Sequence, residues 1–405
     1  MPYAKMQEIA VYAAGIATGT GQHRHCDKLS TSLDNIVLIH FSPLEIYPPV
    51  QNLIRMLRKN PGLITCYVIT TRPTHVQLQP FRSEDQKIRL ICLGSSGMGM
   101  NTLRRLWNYC FFFAGSVCYL VIKRPKRILY YETISSLPVW LYKKFINRKA
   151  EILVHYHEYT SVEEYNKGMW LTRIFHRKEM WLYPRAKWVS HTNESRMRMF
   201  EQDILPVTAA ATKVVPNYPP RSWYHKITTS DIALPVKIVY IGALGMDTTY
   251  VREFAEWVQQ QKGAVIWHIF STNMQSDVQT FLRQMDSPYI GVMGSRNYDE
   301  LPAVLSKYDV GVILYKGHIA NYVYNAPNKL FEYLACGLDV WYPRVMQEIG
   351  QYRNDNNQPK IVEVDFNNLQ DFDRDSALKR HGLAVGTYDF FCEEALAPLV
   401  DSLCG

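Results

Sequence analysis

Short, almost wholly apolar runs rich in β-branched residues recur along this chain with room for a helix between them, and the series runs through twice. The first series is IVLIHF (36–41), CYVIT (66–70), IRLICL (88–93), RILYYE (127–132), EILVHYH (151–157), KWVSHT (187–192) and KVVPN (213–217). Val50–Lys59, Leu103–Ile122 and Glu163–Leu182 are of helical length between them. Strands that alternate with helices pair in parallel, and a parallel sheet covered on both faces has strands that read as continuous apolar runs. IVLIHF and IRLICL have that character and predict strands buried on both sides. The stretch NYPPRSWYHKITTSDIALP (217–235), with three prolines and no periodicity, then interrupts the pattern. It restarts as VKIVYIG (236–242), AVIWHIF (264–270), YIGVMG (289–294), DVGVILY (309–315), DVWYP (339–343) and KIVEV (360–364). The expected fold is α/β: two facing Rossmann-like doubly wound domains, 35–216 and 236–405, joined by a linker at 217–235. Ligands then belong in the cleft outside the carboxyl ends of the strands.

A length of 405 residues fits two domains, and 47% hydrophobic with 20% charged residues excludes a disordered or coiled-coil chain. The excess of 45 basic over 37 acidic residues is scattered. It points to anionic partners such as phosphates or lipid head groups, and nucleic acid is not expected. Eight cysteines with no CxxC pair read as buried thiols of a reducing compartment. Residues 1–34 hold a weak apolar run, Ile9–Ala17, without a basic n-region or clean cleavage site. They read as a poorly ordered leader and not as a signal peptide.

The chemistry concentrates in YNAPNKLFEYLACGLDVW (324–341). Asn325 is a good N-cap, Pro327 is tolerated in a first turn, and Gly337 suits the position just past the last turn. Leu330, Phe331, Leu334 and Ala335 form a buried stripe. Lys329 falls in the first turn, where the helix dipole is already positive, so a cation there is unfavourable unless an anion is bound. Free amides plus a lysine make a phosphate site, and Glu332 lies on the same face. The loop Gly242–Ala243–Leu244–Gly245 suits close approach of backbone to a phosphate.

PNKLFEYLACG resembles the donor-site helix of nucleotide-sugar glycosyltransferases of the GT-B fold, most similar to glycosyltransferase family 4. VYIGALG, MGSRNYDELPAVLSKYDVGVILY and the helix follow one another as in that family, with KVVPN and HYHE as weaker matches in the first half. The resemblance implies that the turn ending in Asn328 and Lys329 holds the donor pyrophosphate and that Glu332 binds the ribose. It further implies a retaining, metal-independent transferase whose co-substrate is a nucleotide sugar, UDP or GDP, with no other cofactor. Two positions depart from the family pattern. Tyr324 stands where a first glutamate of E-x7-E is common, and the loop after VYIG lacks a basic residue, Arg252 being the nearest.

His157 and Glu158 end a predicted central strand and would face the cleft. Either could take the acceptor's proton or hydrogen-bond the donor sugar, with Glu45 next in line as a base. GSSGMGMN (94–101) lacks the Lys-Ser/Thr of a phosphate loop and reads as an acceptor-side loop, and DFDRD (371–375) as a connector. LRRLWNYCFFFAGSVCYLVIKRPKR (103–127) has an apolar centre and basic ends. Three readings are open: a packed core helix, a helix resting in a membrane interface, and a membrane span, for which the stretch Leu106–Ile122 with Asn108 and Ser116 is short and polar. The sequence thus predicts a cytoplasmic glycosyltransferase, peripheral at the inner membrane face, acting on a glycan or lipid-linked acceptor and contributing to surface polysaccharide or glycoconjugate synthesis. A nucleotide-sugar epimerase of the same architecture, or an inactive scaffold, are the competing readings.

Overall fold

The computed structural model describes residues 35–74, 79–82, 85–97, 100–168, 170–204, 212–225, 232–271, 273–354, 356–380 and 382–405. The proposed leader lies outside them. All thirteen expected strands are present, and both sheets are wholly parallel. The first sheet contains β1 (Asn35–His40), β2 (Thr65–Pro73), β3 (Ile88–Ser96), β4 (Arg127–Tyr131), β5 (Glu151–Tyr156), β6 (Ala186–His191) and β7 (Thr212–Val214), in spatial order 3-2-1-4-5-6-7. The second contains β8 (Val236–Ile241), β9 (Val265–Phe270), β10 (Ile290–Gly294), β11 (Val310–Val312), β12 (Asp339–Pro343) and, beyond a short β13 (Asn357–Gln358) that pairs outside it, β14 (Ile361–Val364). Its spatial order is 10-9-8-11-12-14. In each sheet the order reverses beside the first strand, which is where a doubly wound fold opens its binding crevice.

Helices labelled below are α1 (Pro48–Lys59), α2 (Thr102–Lys123), α3 (Trp170–Leu182), α4 (Glu194–Asp203), α5 (Val251–Gln260), α6 (Asn328–Ala335) and α7 (Cys392–Cys404). One face of the first sheet is covered by α2, the segment Ser136–Ile146, α3 and α4, which enclose Phe112, Leu120, Val139, Tyr142 and Phe200. The other face is covered by α1 and, returning from the end of the chain, by α7, whose Leu396, Leu399 and Leu403 join Leu53 and Leu57. The last helix of the region expected to be the second domain therefore packs on the first.

Three details differ from expectation. Glu163–Leu182 is two helices, because Ser161 and Glu164 form a capping box that starts a short Val162–Lys167 helix and Gly168 ends it. IRLICL becomes edge strand β3, so it lacks a neighbour on one side, and Arg89 and Cys92 are exposed. The cysteines are not uniformly buried either: Cys92, Cys110 and Cys118 are exposed, the last two on the outer side of α2. In the linker, the described part is firmly packed. Trp223 is buried, the His225 amide donates to Ala335 O (2.9 Å), and Pro219 O accepts from Cys392 N (2.9 Å).

Candidate functional site

Helix α6 does not begin where the sequence suggests. Pro327, extended at φ −70° and ψ 151°, takes the N-cap position in place of Asn325, and no side chain caps the first turn. At the other end Gly337, at φ 79°, donates to Leu334 O and Leu338 donates to Tyr333 O, both at 3.0 Å. That pair of bonds is a Schellman closure, which a glycine permits because no Cβ opposes positive φ. Every residue from Lys329 to Ala335 is buried, not only the expected stripe. The returning chain covers the outer side, where Tyr388 donates to Phe331 O at 2.8 Å.

Lys329 is only 7% exposed. Its ammonium donates to Tyr240 Oη (3.4 Å) and Tyr315 Oη (3.3 Å) and stands 4.5 and 4.8 Å from their ring centroids. No carboxylate pairs with it among the described residues. Burial opposes the charge, but the two tyrosines outweigh it and hold the ammonium protonated. Gly242, at φ 137°, approaches so closely that a Cβ would lie 2.6 Å from Lys329 Nζ. Only glycine fits there. Ala243 is exposed beside it, whereas Gly245 is buried against Gln275 and Thr248 and serves the packing of its own loop.

One turn along, Glu332 is 6% exposed and has neither a hydrogen bond nor an ion pair among the described residues. Burial pushes its carboxyl up to about 7, against the pull of Lys329. Beyond the end of β10 lies a cavity of about 470 Å³ whose lining includes Ser295, Arg296, Asn297 and Lys307. Arg296 stands 5.6 Å over the Phe270 ring, and Phe270 O accepts the Gly242 amide at 3.0 Å. Cavity and lysine thus lie at the same edge of the sheet, at the ends of β10 and β8 with β9 between them. Arg252, the nearest basic residue in sequence, is elsewhere: it lies on α5, 4.7 Å over Phe281.

The facing edge of the first sheet carries His40, His155, His157 and His191. The His157 ring stacks on Tyr131 (5.2 Å between centroids) and meets His155 edge-on at 4.8 Å. Burial pushes His157 down to about 4, with Asn217 working against the shift and Arg196 for it, while His40 and His191 are pushed down to about 3 by burial. These imidazoles are neutral at pH 7. Glu158 is exposed. Among the described residues no three His, Cys, Asp or Glu side chains are placed to hold a metal ion. Glu45 accepts from Phe81 N at 3.0 Å, so its carboxylate is engaged in the loop. Asp373 caps the helix Arg374–Leu378 and Asp375 pairs with Arg374 at 2.7 Å, which accounts for DFDRD. GSSGMGMN lies partly outside the described residues, and its Ser95 amide donates to Asn108 Oδ1 (3.2 Å).

Two residues that no motif singles out complete the edge. Glu132 follows β4 with φ 60° and ψ 153°, a conformation few non-glycine residues adopt. Its carboxylate accepts the His157 amide at 2.7 Å, and its pKa is pushed up to about 8 by burial and by nearby Glu158. Arg196, buried on α4, donates to His157 O (2.7 Å) and across the cleft to Asn321 O (2.8 Å) and Oδ1 (2.6 Å). Tyr322, next to Asn321, stacks on Tyr315 at 5.0 Å, and Tyr315 holds Lys329. His157 and Lys329 are thereby joined by one chain of contacts. Tyr324 contributes its carbonyl, which accepts from Asn193 Nδ2 at 3.0 Å.

Neither a family model nor a curated protein sequence matches the chain. Solved structures do match. HepE of Anabaena, in complex with UDP and glucose, superposes with a TM-score of 0.60 at 12% identity over 91% of this chain and 99% of that one. The lipopolysaccharide outer core galactosyltransferase WaaB, in its apo form, gives 0.57 at 12% identity over 91% and 99%. A UDP-N-acetylglucosamine 2-epimerase gives 0.51 at 12% identity over 92% and 95%. The chain has the GT-B arrangement of two Rossmann-like domains, as its sequence predicted.

Proposed function

We propose that this chain is a glycosyltransferase, similar to family 4, that holds a nucleoside diphosphate sugar on its second domain and passes the sugar to a glycan or lipid-linked acceptor on its first. One observation carries the reading: a buried ammonium with no carboxylate partner among the described residues, set in the uncapped first turn of α6 and against the bare backbone of Gly242. Such a site is short of one anion, and a diphosphate supplies it. HepE bound to UDP and glucose, and the ligand-free galactosyltransferase WaaB, share this fold and support the same reading.

In this scheme Lys329 and the amides of Asn328 and Lys329 take the charge that builds on the departing diphosphate, with Gly242 and Ala243 close behind it. Glu332 accepts from the ribose hydroxyls, and the cavity beside Arg296 receives the base. An imidazole with its pKa pushed down to about 4 is a weak base, so His157 orients the donor sugar by a hydrogen bond and Glu158 takes the acceptor's proton. No metal is needed, and the sugar keeps its anomeric configuration. The setting is cytoplasmic, in surface polysaccharide or glycoconjugate synthesis.

The deciding experiment is incubation with UDP-, GDP-, CDP- and dTDP-sugars. Slow release of free nucleoside diphosphate is the expected result; an isomerised sugar would mark an epimerase, and no binding a scaffold. Separately, His157→Ala and Glu158→Gln should each lower turnover about 10²-fold while calorimetric UDP affinity survives. If both variants keep near-normal rates, the proton-handling group is elsewhere.

A pH dependence follows from Glu332. Ribose hydroxyls favour the ionised carboxylate, and with a midpoint of about 7 that form rises from a minority to a majority between pH 6 and 8. UDP-glucose binding should therefore strengthen on the order of tenfold across that interval and level off above it. In Glu332→Gln the curve should be flat. For the ligand-free chain the sign is opposite: a raised carboxyl stabilises the fold at low pH and loses that contribution as pH rises through about 7.

A further inference from the structure

Helix α2 is neither a plain core helix nor free of the core. Tyr109, Phe112, Ser116 and Leu120 pack against the first sheet. On the other side Leu103, Trp107, Cys110, Ala114, Cys118 and Val121, at helical spacing, form an exposed apolar stripe. Leu103 is 79% and Trp107 71% exposed. The neighbouring elements continue this surface. Segment Ser136–Ile146 packs against α2, and Phe113 of α2 meets Phe175 of α3 edge-on at 5.0 Å. Ten of the eighteen exposed large apolar side chains among the described residues fall on these three elements, Phe145 and Trp170 among them.

Charge concentrates on the same face. Stretches 102–126, 136–149 and 170–185 hold thirteen of the 45 basic residues and one of the 37 acidic ones, Glu179, which is buried. Elsewhere the remaining 32 basic residues are outnumbered by 36 acidic ones, so these stretches account for the whole positive balance. Its cations stand over its aromatic rings: Lys178 is 4.6 Å and Lys144 5.0 Å from the Trp140 centroid, and Arg185 is 4.1 Å from that of Trp181. Helix α2 is long and apolar enough to cross a bilayer by composition, but one side of it is part of the sheet's core, so it can only lie along a surface.

We infer that this face docks on a bilayer carrying anionic lipid head groups, with the Leu103–Val121 stripe at the boundary of head groups and acyl chains and the basic residues on the lipid phosphates. The first turns of α2 and α3 follow β3 and β5, so Leu103, Trp107 and Trp170 stand at the carboxyl edge of the sheet, beside the cleft. A lipid-linked acceptor would enter from there. The inference deepens the transferase reading, yet vesicle binding requires no donor, so either can fail without the other.

The test uses the full chain and sedimentation with vesicles of phosphatidylcholine alone or of an equal mixture with phosphatidylglycerol. Binding should favour the mixed vesicles by about tenfold or more and weaken as salt is added. The pair Arg104→Glu with Arg105→Glu, and the pair Leu103→Ser with Trp107→Ser, should each reduce it about tenfold. Arg58→Glu with Lys59→Glu, on α1 across the sheet, should leave it unchanged, and all three should bind UDP as the parent does. Equal binding to both vesicle types, binding to neither, or loss in the α1 pair as large as in the α2 pairs would overturn the inference. So would a parent that is dimeric in solution and becomes monomeric in the Leu103 and Trp107 variant with vesicle binding intact, since the stripe would then be an interface between copies.

Discussion

Lys329→Met is expected to weaken UDP binding by about 1.5–3 kcal/mol, roughly ten- to a hundredfold, and to leave the melting temperature of the ligand-free chain little changed. The two outcomes have one origin. The ammonium is buried, sits in the positive first turn of α6, and has two phenol oxygens and two ring faces as its partners. Desolvating a charge without a counter-ion is unfavourable, and the dipole adds to the penalty. Methionine keeps the unbranched stem and the volume while removing the charge, so in the empty site the relieved desolvation and dipole penalty offsets the lost contacts with Tyr240 and Tyr315. With a diphosphate present the same ammonium makes charge-assisted hydrogen bonds that methionine cannot make. Titration calorimetry with UDP, alongside thermal unfolding without it, reads both outcomes. Unchanged UDP affinity would remove the donor-site assignment. A lower melting temperature would show that the lysine chiefly braces Tyr240 and Tyr315.

That lysine was legible in the sequence because its environment is mostly local. A helix start, a proline and a cation within four residues already state an electrostatic conflict. The strands were legible for a similar reason: a parallel strand covered on both faces must be apolar throughout, and a short window shows that. What the sequence hid depends on neighbours far along the chain. β3 is as apolar as β1, and only its place at the sheet edge exposes Arg89 and Cys92. Helix α7 carries no mark that it returns to pack beside α1.

The site divides in the same way. Gly242 was found as one of several small residues in a loop, but its separation from Gly245 in role needs Lys329 and Gln275 in place. Asn325 misled because Pro327, extended and one residue ahead of the helix, takes the cap position first. Glu132 could have been suspected as a carboxylate at a strand end. Its positive φ and its grip on the His157 amide come from the turn that follows, which carries no glycine to announce it. The partners of Lys329 at Tyr240, and of Arg196 at Asn321, lie 89 and 125 residues away.

Arg196→Met is expected to destabilise the chain by about 3–5 kcal/mol and to lower turnover well beyond any change in UDP affinity. The guanidinium is buried, and although burial pushes its pKa down to about 10 it stays protonated at neutral pH. It donates to His157 O, Thr192 Oγ1 and both oxygens of Asn321. Methionine has comparable length but no donor, so His157 O and Asn321 O lose their Arg196 bonds, each a loss of about 1–3 kcal/mol before relaxation, while Asn321 Oδ1 keeps the Tyr159 amide at 3.0 Å. The functional effect follows from where Asn321 lies. It precedes α6 by a few residues, so loosening its hold, with the Tyr159 amide bond left, gives the donor helix room to shift relative to His157, and a misplacement on the order of 1 Å can lower a rate about 10²-fold. Asn321→Ala should give a smaller fall in both rate and stability, because it removes the Oδ1 bonds from Arg196 and the Tyr159 amide while the Arg196 bonds to His157 O, Thr192 and the residue 321 carbonyl remain. Arg196→Lys should not rescue either, since one ammonium cannot reach both His157 O and Asn321 in the way a two-pronged guanidinium does. Denaturant unfolding, UDP calorimetry and turnover on the three variants separate the outcomes. If Arg196→Met turns over normally while folded, the bridge across the cleft holds the fold together without positioning the reaction.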